Sequence, residues 1–443
     1  MVMKPAAVVQ LAQEVLLPGY LTERTRLDVI DGWYGWSPEK VEIPRKSDRE
    51  LKALRNLSET PWLGLVVTTL AQMISMQGIS CSSNRDLTAM WMPWLRNDMA
   101  VRQQAVTRAT LAYGYSYTTV LPGDLGAVMR GISPRDMYAV YQDIAVDEYP
   151  MYGLRVINGN PGNRGLRVID EEAVHLLAED NGKLEYIEPQ FHDVGVTPII
   201  RDTNQMDLEG RSPGEVEPFI PVAKRINKTS YDRLLVQHFN SWKIRTATGL
   251  TKPEDEEEGQ RLKLLLRQSD ILTGEDGVEF GVLDETSMDG FIKASEADIE
   301  ALAAVSQTPS HNLTGKMINL SAEALAAAQS MLALKAGERK VSLGSAAVKK
   351  LRLAAHIEGR EEDAQDFTVT AQFEDLESRS MAQAADALGK TATMLGVPPE
   401  MLWDRIPGVS MDDAKKWLDY KKENPSAEEK LALALDRQAQ GAV

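Results

Sequence analysis

Thr308-Pro-Ser-His-Asn-Leu-Thr-Gly-Lys-Met-Ile-Asn-Leu-Ser-Ala-Glu-Ala-Leu325 decides how this chain is read. The first part is a polar loop without the look of a catalytic centre. The second part opens a helix: the Ser321 hydroxyl can accept from the free amides of the first turn, and Glu323 suits the positive helix end. The run behind it, to about Gly359, is rich in Ala, Leu, Lys and Arg and predicts one long helix, with Gly337 and Gly344 as places where it would bend. Between Ser321 and Arg360 seven basic side chains stand against three acidic ones.

Upstream the sign reverses. Thr251 to Gly290 holds twelve acidic residues against four basic ones. This acidic insert is flanked by helical patterns. One starts near Pro221, whose missing amide donor is not needed in a first turn, and keeps an approximate helical period through Val222, Ile226, Leu234, Leu235, Phe239 and Trp242 up to Gly249. The other covers Phe291 to Ser306.

The front of the chain also reads helical. Ser47-Asp-Arg-Glu50 is a capping box, Leu63 to Ile74 has helical spacing and is expected to stop at Gly78, and Trp91 to Ala112 reads as one more helix. The period then changes. Tyr113 to Leu121 and the runs 127–132, 137–142, 151–157, 166–169, 173–178 and 184–187 predict strands, with Asn181-Gly182 as a two-residue hairpin turn. Farther on, Phe367 to Phe373 alternates as a strand, and Met381 to Leu395 carries a helical stripe closed by Gly396 and Pro398. Helix starts follow at Ser410 and Ser426.

Bulk properties exclude several classes. The 443 residues are enough for two or three domains, and one cysteine, Cys81, allows no internal disulfide. Nothing around Cys81 marks a nucleophile. The N-terminus has no apolar signal-peptide core, and Leu63 to Ile74 is too short and too polar to span a bilayer, so no membrane is expected. The net charge of −16 argues against a generic nucleic-acid binder, which needs excess cations to displace counterions.

The chemical motifs come out empty. Gly315-Lys316 is not a phosphate loop, because position 310 is Ser where a Gly is needed and position 317 is Met where Ser or Thr would bind magnesium. The histidines, at 175, 192, 238, 311 and 356, lack metal-site spacing. Glu254 to Glu258 cannot share one helix face and reads as a solvated surface or a polar subunit contact. Trp33-Tyr34-Gly-Trp36, Trp91 and Trp94 are candidates for a partner surface, with ordinary core packing as the other reading. No catalytic residue, metal or cofactor is expected.

Several segments, in order, resemble one family. They are Trp62–Ala71 with Gln77-Gly-Ile79, Trp94–Asp98, Ala112–Val120, Ile132-Ser-Pro134 with Met137–Tyr141, Gly210-Arg-Ser212, Arg225–Lys228, the 308–325 segment, and Pro398–Trp403 with Pro407–Ser410. Together with the β-rich middle and the helix–acidic insert–helix unit, they resemble the portal proteins of tailed phages, of the long-tailed type common in actinobacterial phages. The resemblance implies an α+β, predominantly helical portal fold that assembles as a cyclic, dodecameric ring. It implies a wing from residues 1–217, the long helix 321–366 and a strand at 367–376. Stem helices would fall at 218–250 and 291–307, an acidic clip at 251–290, a tunnel loop at 308–320 and a crown at 377–443.

In that scheme Ser310, His311, Asn312, Thr314, Gly315, Lys316, Met317 and Asn319 would face double-stranded DNA in the channel. Glu254, Asp255, Glu256, Glu257, Glu258 and Asp276 would contact the terminase packaging motor and later the head-completion adaptor. Major capsid and scaffolding proteins would be further partners. The protein would be made in the host cytoplasm and reside in the virion, at one capsid vertex, for genome packaging, head–tail joining and DNA ejection. Two other readings stay open: a metal-dependent phage DNA-processing enzyme using the acidic cluster, and a helical interaction scaffold.

Overall fold

The structure is a computed structural model that describes residues 3–37, 41–43, 49–82, 85–160, 162–240, 245–248, 279–282, 287–315, 322–374, 381–406, 409 and 411–424. The fold is α+β, and the chain divides into two compact units. Residues 1–31, 66–217 and 320–443 form the first; residues 32–65 and 218–319 form the second.

The first unit is built on a five-stranded antiparallel meander of Met137–Val140, Tyr152–Asn160, Asn163–Ile169, Ala173–Asp180 and Lys183–Phe191, in that spatial order. Asn181 and Gly182 turn the last hairpin with φ of 49° and 80°, the left-handed pair that a two-residue turn requires. Alternation gives the sheet two apolar faces. On one, Leu154, Leu166, Val168 and Leu177 pack with Val8, Ala12, Leu16 and Tyr20 of the N-terminal helix. On the other, Met137, Ala139, Ile169 and Val174 pack with Tyr115, Tyr117, Ile132 and Ile199. Those four come from a three-stranded sheet ordered Gly126–Ile132, Tyr115–Gly123, Ile199–Thr203.

The long helix spans Ala322–Ile357 without interruption. Its Ala346, Ala347, Leu351 and Ala354 share a core with Val120, Ala127, Met129 and Ile200 of the three-stranded sheet. Gly344 does not break it. A Cβ there would lie 3.0 Å from the Ala371 side chain and 3.1 Å from Phe373, so the glycine admits a close neighbour.

Four local expectations change. Gly78 lies in a strand, Met76–Ser80, paired with Thr370–Phe373, and the preceding helix ends earlier, at Ala71. The expected 91–112 helix is two, Thr88–Arg96 and Met99–Tyr113, parted where Asp98 takes a φ of 53°. There the Asn97 side chain leaves the helix to bond Ala127 O at 2.8 Å and the Met129 amide at 2.9 Å. The strand expected from Phe367 starts only at Thr370, while the Phe367 ring lies under the Arg352 guanidinium at 3.8 Å. The helix expected up to Gly249 ends at Asn240, because Arg245–Thr248 pairs as a strand with Glu279–Val282.

The second unit is mainly helical: Arg49–Ser58, Ile220–Asn240, Asp289–Ser306 and the single turn Ser310–Thr314. Helix Ile220–Asn240 buries Ala223, Ile226, Asn227 and Tyr231, a stripe at helical spacing. Asn227 Oδ1 accepts from the Thr60 amide at 3.2 Å. Asp298 ties the two long helices of this unit, taking Arg225 Nε at 2.8 Å and the Thr229 hydroxyl at 2.9 Å.

Candidate functional site

The segment after Asp289–Ser306 is where the sequence points, and it is more ordered than the loop expected there. Gln307, with a φ of 53°, closes the helix while the Thr308 amide returns to Ala303 O at 3.0 Å. The Ser306 hydroxyl donates to Thr308 Oγ1 at 3.0 Å. Pro309 then starts a turn of helix, Ser310–Thr314, anchored by buried Leu313 and capped by Gly315 at a φ of 66°. Its outer groups are Ser310 and Gly315, both exposed, with His311, Asn312 and Thr314 half-buried. Thr314 Oγ1 donates to Ser310 O at 2.9 Å. A proline before the turn, one apolar anchor and a glycine after it are signals that a reading of the stretch as loop passed over. Lys316, Met317 and Asn319 lie outside the described residues, as do Glu254, Asp255, Glu256, Glu257, Glu258 and Asp276.

The base of the acidic insert is described. Arg245, Thr246, Ala247 and Thr248 pair antiparallel with Val282, Gly281, Phe280 and Glu279. This two-stranded ladder brackets most of the acidic insert along the chain. The two helices leading to it keep much surface open. Beyond Tyr231 no described residue of Ile220–Asn240 is fully buried, and only Leu302, Ala303 and Ser306 are buried in Asp289–Ser306. Ile292 and Val305 of that helix are 43% and 54% exposed.

Part of the basic character of the long helix turns inward. Lys335 and Arg339 both end on Glu215, Arg339 Nη2 at 3.1 Å, and all three side chains are at most 8% exposed. Asn204 Nδ2 adds a hydrogen bond to Glu215 Oε1 at 3.1 Å. Lys350 meets Asp202 at 2.5 Å, and the Thr118 hydroxyl donates to the other oxygen of that carboxylate at 2.8 Å. Three of the seven cations of this stretch are thus internal. Sequence reading missed Glu215 and Asp202; the only hint was an acid inside the apolar run Ile199-Ile-Arg-Asp202.

His175 is fully buried between the Asp170 carboxylate, 3.0 Å from Nε2, and the Tyr186 hydroxyl, 3.0 Å from Nδ1. Burial pushes the Asp170 carboxyl up, but the His175 hydrogen bond and the amides of Ala173 and Glu172 outweigh it and hold it below the usual carboxylate range. Burial also pushes His192 down; its Nε2 sits 3.0 Å from Asp170 O. His175 and Asp170 thus satisfy one another within the fold. Among the described residues no three metal-ligating side chains converge, and no helix is long and apolar enough to cross a membrane. Trp33 and Trp94 are buried, the latter stacked on Trp91 at 5.3 Å, which favours their core reading.

Comparison with known proteins places the chain. No curated protein matches it in sequence. Similar solved structures include a chain of the virion of a native gene transfer agent particle, at 12% identity and a TM-score of 0.47, covering 81% of this chain and 96% of that one. Another is a chain of the neck of an empty gene transfer agent particle, at 12% identity and 0.43, with the same coverage. A third is an HK97 family phage portal protein from Corynebacterium diphtheriae, at 10% identity and 0.37, covering 75% of this chain and 96% of that one. The model of the family described as phage portal protein, SPP1 Gp6-like, matches residues 13–427. That match runs over nearly the whole sequence, and the chain belongs to the SPP1 Gp6-like family of phage portal proteins.

Proposed function

We propose that copies of this chain close into a dodecameric ring at one capsid vertex and form the channel through which double-stranded DNA is packaged, retained and ejected. Family membership supports the reading, and one observation carries it furthest. The helices Ile220–Asn240 and Asp289–Ser306 bury a stripe within their own unit and leave the rest of their surface open, as expected of helices that meet neighbouring copies in a cyclic, head-to-tail array. These are the stem helices of this scheme, and the ladder 245–248/279–282 carries the acidic clip toward the terminase motor and the head-completion adaptor. The turn Ser310–Thr314 and the residues to 320 face the channel. The remainder of the first scheme follows: wing from 1–217, 321–366 and 367–376, crown from 377–443, capsid and scaffolding proteins as neighbours, synthesis in the host cytoplasm and residence in the virion. A portal is a structural part, and the family gives no support to a metal-dependent enzyme built on the acidic cluster.

Negative-stain images and light-scattering mass of the purified chain test this. Closed rings with a central hole are expected. A strict monomer at high concentration, without rings even beside scaffolding or capsid protein, overturns it. Within rings, Lys316→Ala should leave assembly intact and alter packaging or DNA retention; unchanged packaging would remove Lys316 from the channel's working surface.

A further inference from the structure

The outer half of the five-stranded sheet carries charged side chains that make no ion pair among the described residues. On the face that meets the three-stranded sheet, the innermost row is apolar, with Ile169 opposite Gly153 and Val174 in the core. The next row out, read across four strands by register, is Arg155, Arg167, Leu176, Glu188. The outermost is Ile157, Gly165, Ala178, Glu185. Arg155 and Arg167 are direct cross-strand partners, and like charges so placed repel. A third guanidinium joins them from the edge strand of the three-stranded sheet. Arg130 lies two residues out from core residue Ile132, on the same side of its strand.

Among the described residues none of Arg130, Arg155 and Arg167 has a carboxylate at ion-pair distance, and Arg167 Nε is buried without an acceptor. Burial, then Arg167 and Arg130, hold Arg155 below the usual guanidinium range, with Asp136 opposing only as a neighbouring charge. Glu185 and Glu188 are exposed and likewise make no ion pair among the described residues. Strands are about 4.8 Å apart, so the Glu188 backbone stands roughly 10 Å from that of Arg167, with Leu176 on the strand between them. The sheet face is therefore split: positive toward one lateral edge, negative toward the other, with Leu176 and Ala178 between.

We propose that this split face is a contact between copies of the chain, in which Glu185 and Glu188 of one copy are received by Arg130, Arg155 and Arg167 of the next. Opposite charges on opposite sides of one sheet, the arginines on its second and third strands and the glutamates on an edge strand, suit side-by-side repetition, the head-to-tail contact that closes rings. Nucleic acid is the poorer occupant. A duplex presents a phosphate charge about every 1.7 Å and would meet Glu185, Glu188 and Asp136 along with the arginines. The inference rests on the ring reading but names residues which that reading does not require.

The test is charge exchange in the full chain. Arg155→Glu with Arg167→Glu, and separately Glu185→Arg with Glu188→Arg, should each raise the concentration needed for assembly at least roughly tenfold, as expected for losing close interfacial charge pairs. The four substitutions together should restore it, which shows that each pair folds and fails only at the contact. In dilute monomer, Arg167→Gln should raise the melting temperature at low salt and lose that gain at high salt, since it removes a repulsion. Assembly unchanged in both pairs, or not restored by the fourfold exchange, overturns the proposal while leaving the ring reading in place. A wild-type chain that never assembles removes the ring reading itself, and the contact with it. Loss of duplex retention with assembly intact assigns the arginines to DNA and also overturns it.

Discussion

The long helix Ala322–Ile357 and the helix pair Ile220–Asn240 and Asp289–Ser306 look alike in sequence: extended, Ala- and Leu-containing and rich in charge. Their surroundings differ. From Leu343 to Ala355 the long helix is buried at most positions around its circumference, and its buried cations meet Glu215 and Asp202. The pair buries one stripe and leaves Ile292 and Val305 exposed. Charge does not sort them, since Ile220–Asn240 is net basic like the long helix and Asp289–Ser306 is net acidic. What does is whether the rest of the same chain supplies partners. The stretch Leu343–Ala355 is complete within a subunit, whereas the pair, like Met331, Leu334 and Val341 at the front of the long helix, leaves apolar surface for others.

The comparison breaks first if the buried ions of the long helix are expendable. Glu215→Ala removes the buried carboxylate that Lys335 and Arg339 share and should cost about 3–5 kcal/mol, read by denaturant unfolding. A loss under about 1 kcal/mol, the range of exposed pairs, would mean that the cluster is solvated and the contrast false.

Asp170→Asn sharpens the same side of the contrast with a smaller effect. It weakens the support of buried His175 and should cost about 1–3 kcal/mol at neutral pH. Because the folded carboxyl is held below its unfolded value of 3.8, its contribution is present above that value and lost as pH falls through the lower, folded value. The gap between wild type and variant should therefore be flat at neutral pH and close in strong acid. A gap that widens on acidification would contradict the assignment.

The smallest effect on folding is expected in the second unit, where the consequence should appear elsewhere. Val305→Ser removes a side chain that is 54% exposed and should change monomer stability within about 0.5 kcal/mol. It should nonetheless weaken assembly measurably by sedimentation. Equal assembly would place the subunit contact on another face.

What could be read in advance follows from how local each signal is. The Asn181-Gly182 hairpin, the strands of the meander and both flanking helices were legible, because turn chemistry and period lie within a few residues. Gly78 was misread as a helix stop because its strand partner, Gln372, is nearly 300 residues away. The inward turn of Lys335 and Lys350 was illegible for the same reason, since Glu215 and Asp202 lie 120 and 148 residues distant. At the candidate site, Pro309, Leu313 and Gly315 were present as a helical-turn signal but outweighed by the polar residues among them. The row Arg155–Arg167–Leu176–Glu188 exists only in register, so no single stretch of sequence displays it.

Amide hydrogen exchange, compared between dilute monomer and assembled protein, tests the contrast most directly. Exchange in 232–240 and 289–301 should slow on assembly, while 343–355 of the long helix should be protected equally in both states. Unchanged exchange in the helix pair, with new protection gained in the long helix, would contradict the account.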